Sequence, residues 1–230
     1  MDARLTSLPQ NFRAVVIGAT GGIGSAVTAL LEEQPHVGKV VALSRQNGMD
    51  LLDERAIAAH ATSVGDPIHL LVCATGILTT QDTGPEKSLK QLDPDIMLAQ
   101  FRTNAIGPAL VAKHFLPLLD RKSRTIALFL SARVGSIGDN RLGGWISYRA
   151  SKAALNQIVR TASIEVSRTH PQAVVAAIHP GTVRTRLSAP YSNGHPTVSA
   201  HEAAENILNT ADRLGTTGAF VAYDGSPIDW

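Results

Sequence analysis

The chain has 230 residues, 44% of them hydrophobic and 17% charged, with a formal net charge of +2. That length suits one domain with a substantial core, and its basic residues form no runs, which argues against nucleic acid as the main partner. The charged share is low enough that a second subunit is expected to cover some apolar surface.

The first residues, MDARLTSLPQNFR, hold no apolar core of signal-peptide length, and no stretch approaches 18 uninterrupted apolar residues. A soluble cytoplasmic protein is expected, with residues 1–12 as an N-terminal tail and 13–230 as the domain. The first strand is RAVVIGA (13–19), followed by a helix from Gly22 to just before Pro35 and a second strand, GKVVALS (38–44). A very short third strand is expected near Met49 and Asp50, then a helix from about Asp53 to Val64. IHLLVCA (68–74) is the next strand; it contains Cys73, whose apolar neighbours mark a buried thiol and which, as the single cysteine, excludes an internal disulfide. Beyond it come a helix capped by Asp93 with Pro94 in its first turn, the strand TIALFLS (125–131) and a long helix carrying Tyr148 and Lys152. The strand AVVAAIH (173–179), a helix opened by Ser199 and Glu202 in capping-box spacing, and AFVAY (219–223) complete the series. Several strands are apolar on both faces, as buried parallel strands are. The alternation predicts an α/β fold: a single-domain, Rossmann-type, doubly wound parallel sheet of about seven strands with helices on both faces.

Chemistry enters with GATGGIG, Gly18 to Gly24, which ends the first strand and opens the first helix. Gly18 permits a tight turn, Gly22 lets a ligand approach the backbone, and Gly24 lets helix and strand pack closely. Thr20, Gly21 and Ile23 complete the loop, and a pyrophosphate would rest on the free N–H groups of the helix start. About 20 positions further on, dinucleotide folds place an acidic residue that holds the ribose 2′-hydroxyl. Here the segment reads ALSRQ: Ser44 occupies that place and Arg45 follows. No carboxylate repels a 2′-phosphate, and a guanidinium is at hand to pair with one, which selects NADP(H).

In SYRASKAAL (147–155), Tyr148 and Lys152 stand four apart and so share one helix face. A phenol is a poor base at neutral pH; a nearby fixed positive charge favours phenolate and is expected to lower its pKa. Such a tyrosine can give a proton to a carbonyl oxygen as hydride arrives, or take one from an alcohol.

GATGGIG, CATG (73–76), TNAIG (103–107), YRASK (148–152) and PGTVRT (180–185), in this order and spacing, resemble the short-chain dehydrogenase/reductase family from about Arg13 onward. SARVGSIGDNRLGGWISYRASKAALNQ and VAYDGSPIDW are similar to its C-factor-like branch, near the sniffer-type carbonyl reductases. The resemblance implies an NADPH-dependent carbonyl reductase or alcohol dehydrogenase with Tyr148 as acid/base and Lys152 gripping the nicotinamide ribose. It implies a main-chain relay through Asn104, and the sequence adds a reason: residue 108 is proline and has no N–H for the Asn104 carbonyl. It further implies that Asp50, followed by Leu51, contacts the adenine, that Ala74, Thr75 and Gly76 line the nucleotide, and that Pro180, Gly181, Val183 and Thr185 hold the carboxamide. A homodimer or homotetramer is implied, with a small carbonyl or alcohol as substrate, no nucleic acid or membrane partner, and residues 186–198 as a substrate lid holding Tyr191 and His195.

The family's threonine before the loop is Ile17 here, and its carbonyl-polarising serine falls on Ala132. Ser131, one position earlier, is the expected donor, and Ser136 in the following loop is its rival. The eight histidines show no metal-ligand spacing, so no metal is expected and His179 reads as structural. A second functional reading is an NADP-binding signalling or regulatory protein of C-factor type. Serine hydrolase chemistry is disfavoured by the lack of a GxSxG elbow.

Overall fold

The computed structural model describes residues 5–79, 84–191 and 196–230. Six strands form one sheet: β1 (Phe12–Ile17), β2 (Val37–Leu43), β3 (Leu70–Cys73), β4 (Thr125–Leu130), β5 (Ala173–His179) and β6 (Phe220–Ala222). All neighbours are parallel, in the order β2-β1-β3-β4-β5-β6. Among the described residues six α-helices connect them: α1 (Gly22–Glu32), α2 (Glu54–Val64), α3 (Pro94–Phe101), α4 (Gly107–Phe115), α5 (Ile146–Val166) and α6 (Ala200–Arg213).

Side-chain alternation along each strand divides the core in two. Val15, Ile17, Leu71, Cys73, Ala127 and Phe129 face α2, α4 and α5, where Ile57, Val111, Phe115 and Leu155 meet them. Ala14, Val16, Leu70, Val72, Ile126 and Leu128 face α1 and α6, against Val27, Leu31, Ile207 and Leu208. Leu5 and Leu8 are buried in this second layer, and the Ser7 N–H donates to Asp212 Oδ1 on α6 (2.8 Å), so residues 5–11 are packed onto the domain.

The helix starts follow local chemistry. Asp53 accepts from the Arg55 N–H, Asp93 from the N–H groups of Asp95 and Ile96, and Ser199 from that of Glu202. α1 differs: its cap position is Gly21, no side chain caps it, and its first turn carries no acid.

The strand expected near Met49 and Asp50 does not form, so the sheet has six strands and not seven. Residues 44–48 are closed by their own hydrogen bonds instead. Ser44 Oγ accepts from the Gln46 N–H, Asn47 Oδ1 accepts from the Ser44 N–H, and Gly48 turns left-handed at φ 85°. One turn of 3₁₀ helix results, and Met49 is drawn into the core. β2 is therefore the sheet edge. From β1 the chain goes to this edge and then returns to β3 on the other side of β1. That reversal opens a crevice at the carboxyl ends of β1 and β3, where ligands of such sheets bind.

Candidate active site

Backbone geometry shapes the crevice. Gly18 has φ 88°, and a Cβ there would lie 2.6 Å from the Ala74 carbonyl oxygen. A Cβ on Gly22 would meet Thr185 Cγ2 at 2.7 Å, so the loop after β5 lies directly over the start of α1. Thr20 and Gly21 are exposed, while Ile23 packs on the core beneath. The uncapped N–H groups of α1 thus sit in a glycine-lined cradle, the donor set and dipole that a pyrophosphate requires.

The Ser44 hydroxyl is occupied in capping, whereas the Arg45 side chain is exposed and has no ion pair or hydrogen bond among the described residues. Asp50 Oδ1 accepts from the Leu52 N–H (2.9 Å), and Leu51 lies against Gly107 at the start of α4. The Ala74 N–H donates to the Ile17 carbonyl (2.8 Å), and Thr75 Oγ1 lies 3.4 Å from Cys73 Sγ. After Pro180, Gly181 (φ 81°) passes the Tyr223 ring, and Ser188 fastens the loop. Its Oγ donates to the Val183 carbonyl and accepts from the Thr185 N–H (3.1 Å). Glycine cradle, free helix start, unpaired arginine and fastened loop all fit a dinucleotide phosphate.

Beside this cradle three segments converge on Gly76. A Cβ there would lie 3.3 Å from both Lys152 Nζ and Asn104 Oδ1. Asn104 is wholly buried and sits in a π turn, Arg102–Ile106, where the Gly107 N–H reaches back five residues to the Arg102 carbonyl. Pro108 is the physical reason: it interrupts the ladder two residues later. The Asn104 side chain clamps the loop after β3, accepting from the Ile77 N–H (2.8 Å) and donating to the Ile77 carbonyl (2.9 Å). Its amide also donates to Ser151 Oγ (3.1 Å), whose own proton goes to the Tyr148 carbonyl (2.9 Å). Tyr148, Ser151 and Lys152 thus lie buried on one face of α5, as their spacing predicts.

Lys152 Nζ donates to the Leu130 carbonyl at the end of β4 (2.9 Å) and stands 6.0 Å from the Tyr148 ring centroid. Burial pushes the Lys152 ammonium down to about 8 and the Tyr148 phenol up to about 12. The second direction is opposite to the sequence expectation. Desolvation of the phenol outweighs the lysine, whose hydrogen bond is spent on a carbonyl. Tyr148 is therefore a protonated phenol at neutral pH, suited to donate.

Ser131 is turned from this group. Its hydroxyl donates to Asn156 Oδ1 on α5 (2.6 Å), while Ala132, extended at φ −145°, packs with Leu78 against Tyr148. Ser136 Oγ accepts from the Asp139 N–H (3.0 Å). His179 is half-buried at the end of β5, where desolvation pushes it down to about 4.

Two aromatic residues complete the rim. Trp145 stands edge-on to Tyr148 (centroids 6.3 Å, 69°) and to Tyr191 (5.5 Å, 69°). Tyr191 ends a short 3₁₀ turn in the expected lid; His195 lies outside the described residues. Sequence reasoning missed Trp145, although the two glycines before it, both with positive φ, mark an unusual helix entry.

A model of the enoyl-(acyl carrier protein) reductase group matches residues 26–228. The chain belongs to the short-chain dehydrogenase/reductase family. Among relatives of known sequence, 1-hydroxy-2-glutathionyl-2-methyl-3-butene dehydrogenase from Rhodococcus sp. (strain AD45) is 27% identical over 94% of this chain and 98% of its own. The C-signal of Myxococcus xanthus is 31% identical over 75% of this chain and 99% of its own. In structure, the NADPH-bound carbonyl reductase from chicken fatty liver gives a TM-score of 0.82 at 23% identity, covering 97% of this chain and 95% of that one. The carbonyl reductase Sniffer of D. melanogaster gives 0.80 at 22%, covering 96% and 100%. No helix among the described residues is long and apolar enough to cross a membrane.

Burying Lys152 has a stability consequence with a definite sign. Its folded pKa of about 8 lies below the ordinary 10.5, so the folded protein holds that proton less tightly than the unfolded chain. Below pH 8 the penalty is fully present, about 3 kcal/mol; it shrinks as pH rises and is gone above the ordinary value. Lys152→Met removes the penalty but leaves the Leu130 carbonyl without its donor, at about 1 kcal/mol. Urea unfolding without dinucleotide should show the variant about 2 kcal/mol more stable at pH 7, with the gap narrowing toward pH 10. A variant less stable than wild type at pH 7 would contradict the assigned direction.

Proposed function

We propose that the protein is an NADP(H)-dependent oxidoreductase that interconverts a carbonyl and an alcohol, with Tyr148 as proton donor and acceptor. The observation that carries this reading is the convergence of Lys152 and Asn104 on Gly76, with Tyr148 buried on the same face of α5 as Lys152, beside a glycine cradle at the carboxyl ends of the strands. A dinucleotide held by the glycine cradle and Arg45 would supply or take up the hydride at its nicotinamide. Tyr148 holds the proton at its hydroxyl and delivers it to the carbonyl oxygen. Lys152, fixed on the Leu130 carbonyl, places a positive charge beside the phenol and would hold the nicotinamide ribose. Asn104, clamped through its side chain, is left to present its main chain to a proton-carrying water.

The unpaired Arg45, with no acid at position 44, supports NADP(H) over NAD(H). The NADPH in the chicken reductase, and in a small-chain dehydrogenase crystallised with the same nucleotide, supports it too. Asp50 and Leu51 would border the adenine, and the Val183–Thr185 loop the carboxamide. Between α4 and α5 a cleft of about 670 Å³, with Ala109, Ala112, Ile158 and Ala162 in its walls, supports a homodimer or homotetramer built on these helices. Work in the cytoplasm is part of the same proposal. Kinship with the C-signal favours a second reading, a dinucleotide-binding signalling protein with little turnover.

Tyr148→Phe separates the two. It keeps the ring, so NADPH should bind with unchanged affinity while single-turnover reduction across a panel of aldehydes and ketones falls on the order of 1,000-fold. Turnover in wild type and its collapse in the variant support the enzyme. No turnover by wild type on any member of the panel would favour the signalling reading.

The carbonyl-polarising donor is the second test. With Ser131 held by Asn156 and Ala132 against the phenol, Tyr148 acts without a serine at its side. Ala132→Ser should then raise kcat about tenfold, since one such donor is worth roughly 100-fold where it is native. Ser131→Ala and Ser136→Ala should each change kcat little. A large loss in either would assign the donor to that serine.

A further inference from the structure

α5 begins two residues before Tyr148 with no cap of its own, since its cap position is Trp145 and its first turn carries no acid. The missing partner comes from far along the chain. Glu86, between β3 and α3, is 5% exposed, and its carboxylate accepts from the Ser147 hydroxyl and from the Ser147 N–H (3.4 Å). The main-chain carbonyl of the same residue accepts from the Trp145 N–H (2.5 Å). A buried carboxylate at a helix start is favoured by the helix dipole as well as by these bonds.

Trp145 itself has φ 53° and ψ 42°, a left-handed conformation that a bulky side chain disfavours. Gly143 and Gly144 precede it at φ 64° and 66°, and Arg149 Nε donates to both their carbonyls (3.2 and 3.0 Å). Glu86 and Arg149 both hold this entry. In the conformation so fixed, the indole and the Tyr148 ring meet in a T-shaped pair.

We infer that Glu86 is a positioning residue for the catalytic tyrosine. Its carboxylate closes the first turn of α5 at the residue before Tyr148, and its carbonyl holds Trp145 left-handed against the phenol. The inference rests on the reading of Tyr148 as proton donor. Without the carboxylate the segment around residue 86 loses its hold on α5, Trp145 relaxes toward an ordinary backbone conformation, and the phenol loses its lateral support. Lys152 and the glycine cradle, which take no bond from Glu86, keep NADPH in place.

The test uses Glu86→Ala and Glu86→Gln in a Trp230→Phe background, where Trp145 is the remaining one of two tryptophans. NADPH is titrated to count folded sites, kcat is measured with 4-nitrobenzaldehyde, and Trp145 emission is recorded. In Glu86→Ala we expect kcat per NADPH site to fall on the order of 100-fold, the loss typical of a reacting group displaced by about 1 Å. NADPH affinity should stay within about threefold, and Trp145 emission should shift to the red. Glu86→Gln, which keeps one acceptor for Ser147, should recover roughly tenfold of that loss. General destabilisation would lower the number of NADPH sites, not kcat per site. If Glu86→Ala does not fold, Glu86→Gln and Ser147→Ala carry the same readouts, each expected to lower kcat roughly tenfold. Wild-type kcat together with unshifted Trp145 emission in the variants would overturn the inference. If wild type reduces neither this aldehyde nor any other member of the panel, the functional reading falls separately, and the emission of Trp145 alone decides whether Glu86 fixes the helix start.

Discussion

A lysine that is 3% exposed must have a partner, and the partner here is a main-chain carbonyl at the end of a strand. The bond from Lys152 to Leu130 ties α5 to β4 at the depth where the crevice ends. The lysine's charge does not ionise its tyrosine neighbour, because both groups answer chiefly to desolvation. The site trades stability for a protonated phenol and an ammonium held side by side in a buried setting. The packing of the glycine loop, the π turn at Asn104 and the entry to α5 all serve to keep those two groups in register.

Much of this was legible in the sequence because it depends on local rules. Strands apolar on both faces announced a parallel sheet, and Asp53, Asp93 and Ser199 announced their helices. The four-residue spacing of Tyr148 and Lys152 placed them on one buried face. Pro108 foretold a disturbed ladder at Asn104, which takes the form of a π turn. The supposed strand near Met49 failed because Ser44 and Asn47 close a turn with their side chains, a competition that apolar patterning does not register.

Other features were beyond local reasoning. Strand parity at the end of β4 decides whether Ser131 or Ala132 faces the phenol, and a sequence alone does not show where a strand stops being regular. The structure keeps the alternation, which sends the Ser131 hydroxyl to Asn156. The rise in the Tyr148 pKa depends on how completely the ring is enclosed, and this is a property of Leu78, Ala132 and Trp145 together. Glu86 gives no sign of its role in its own neighbourhood, because the residue it caps lies 61 positions away.

The account stands or falls on the protonation state of one phenol. Ultraviolet difference titration of wild type against Tyr148→Phe, without dinucleotide, isolates this tyrosine from the other two in the chain. The account predicts that no phenolate signal from Tyr148 develops below pH 10, with a midpoint near 12. A midpoint clearly below the ordinary tyrosine value of roughly 10 would contradict it, and would mean that Lys152 outweighs burial at the site.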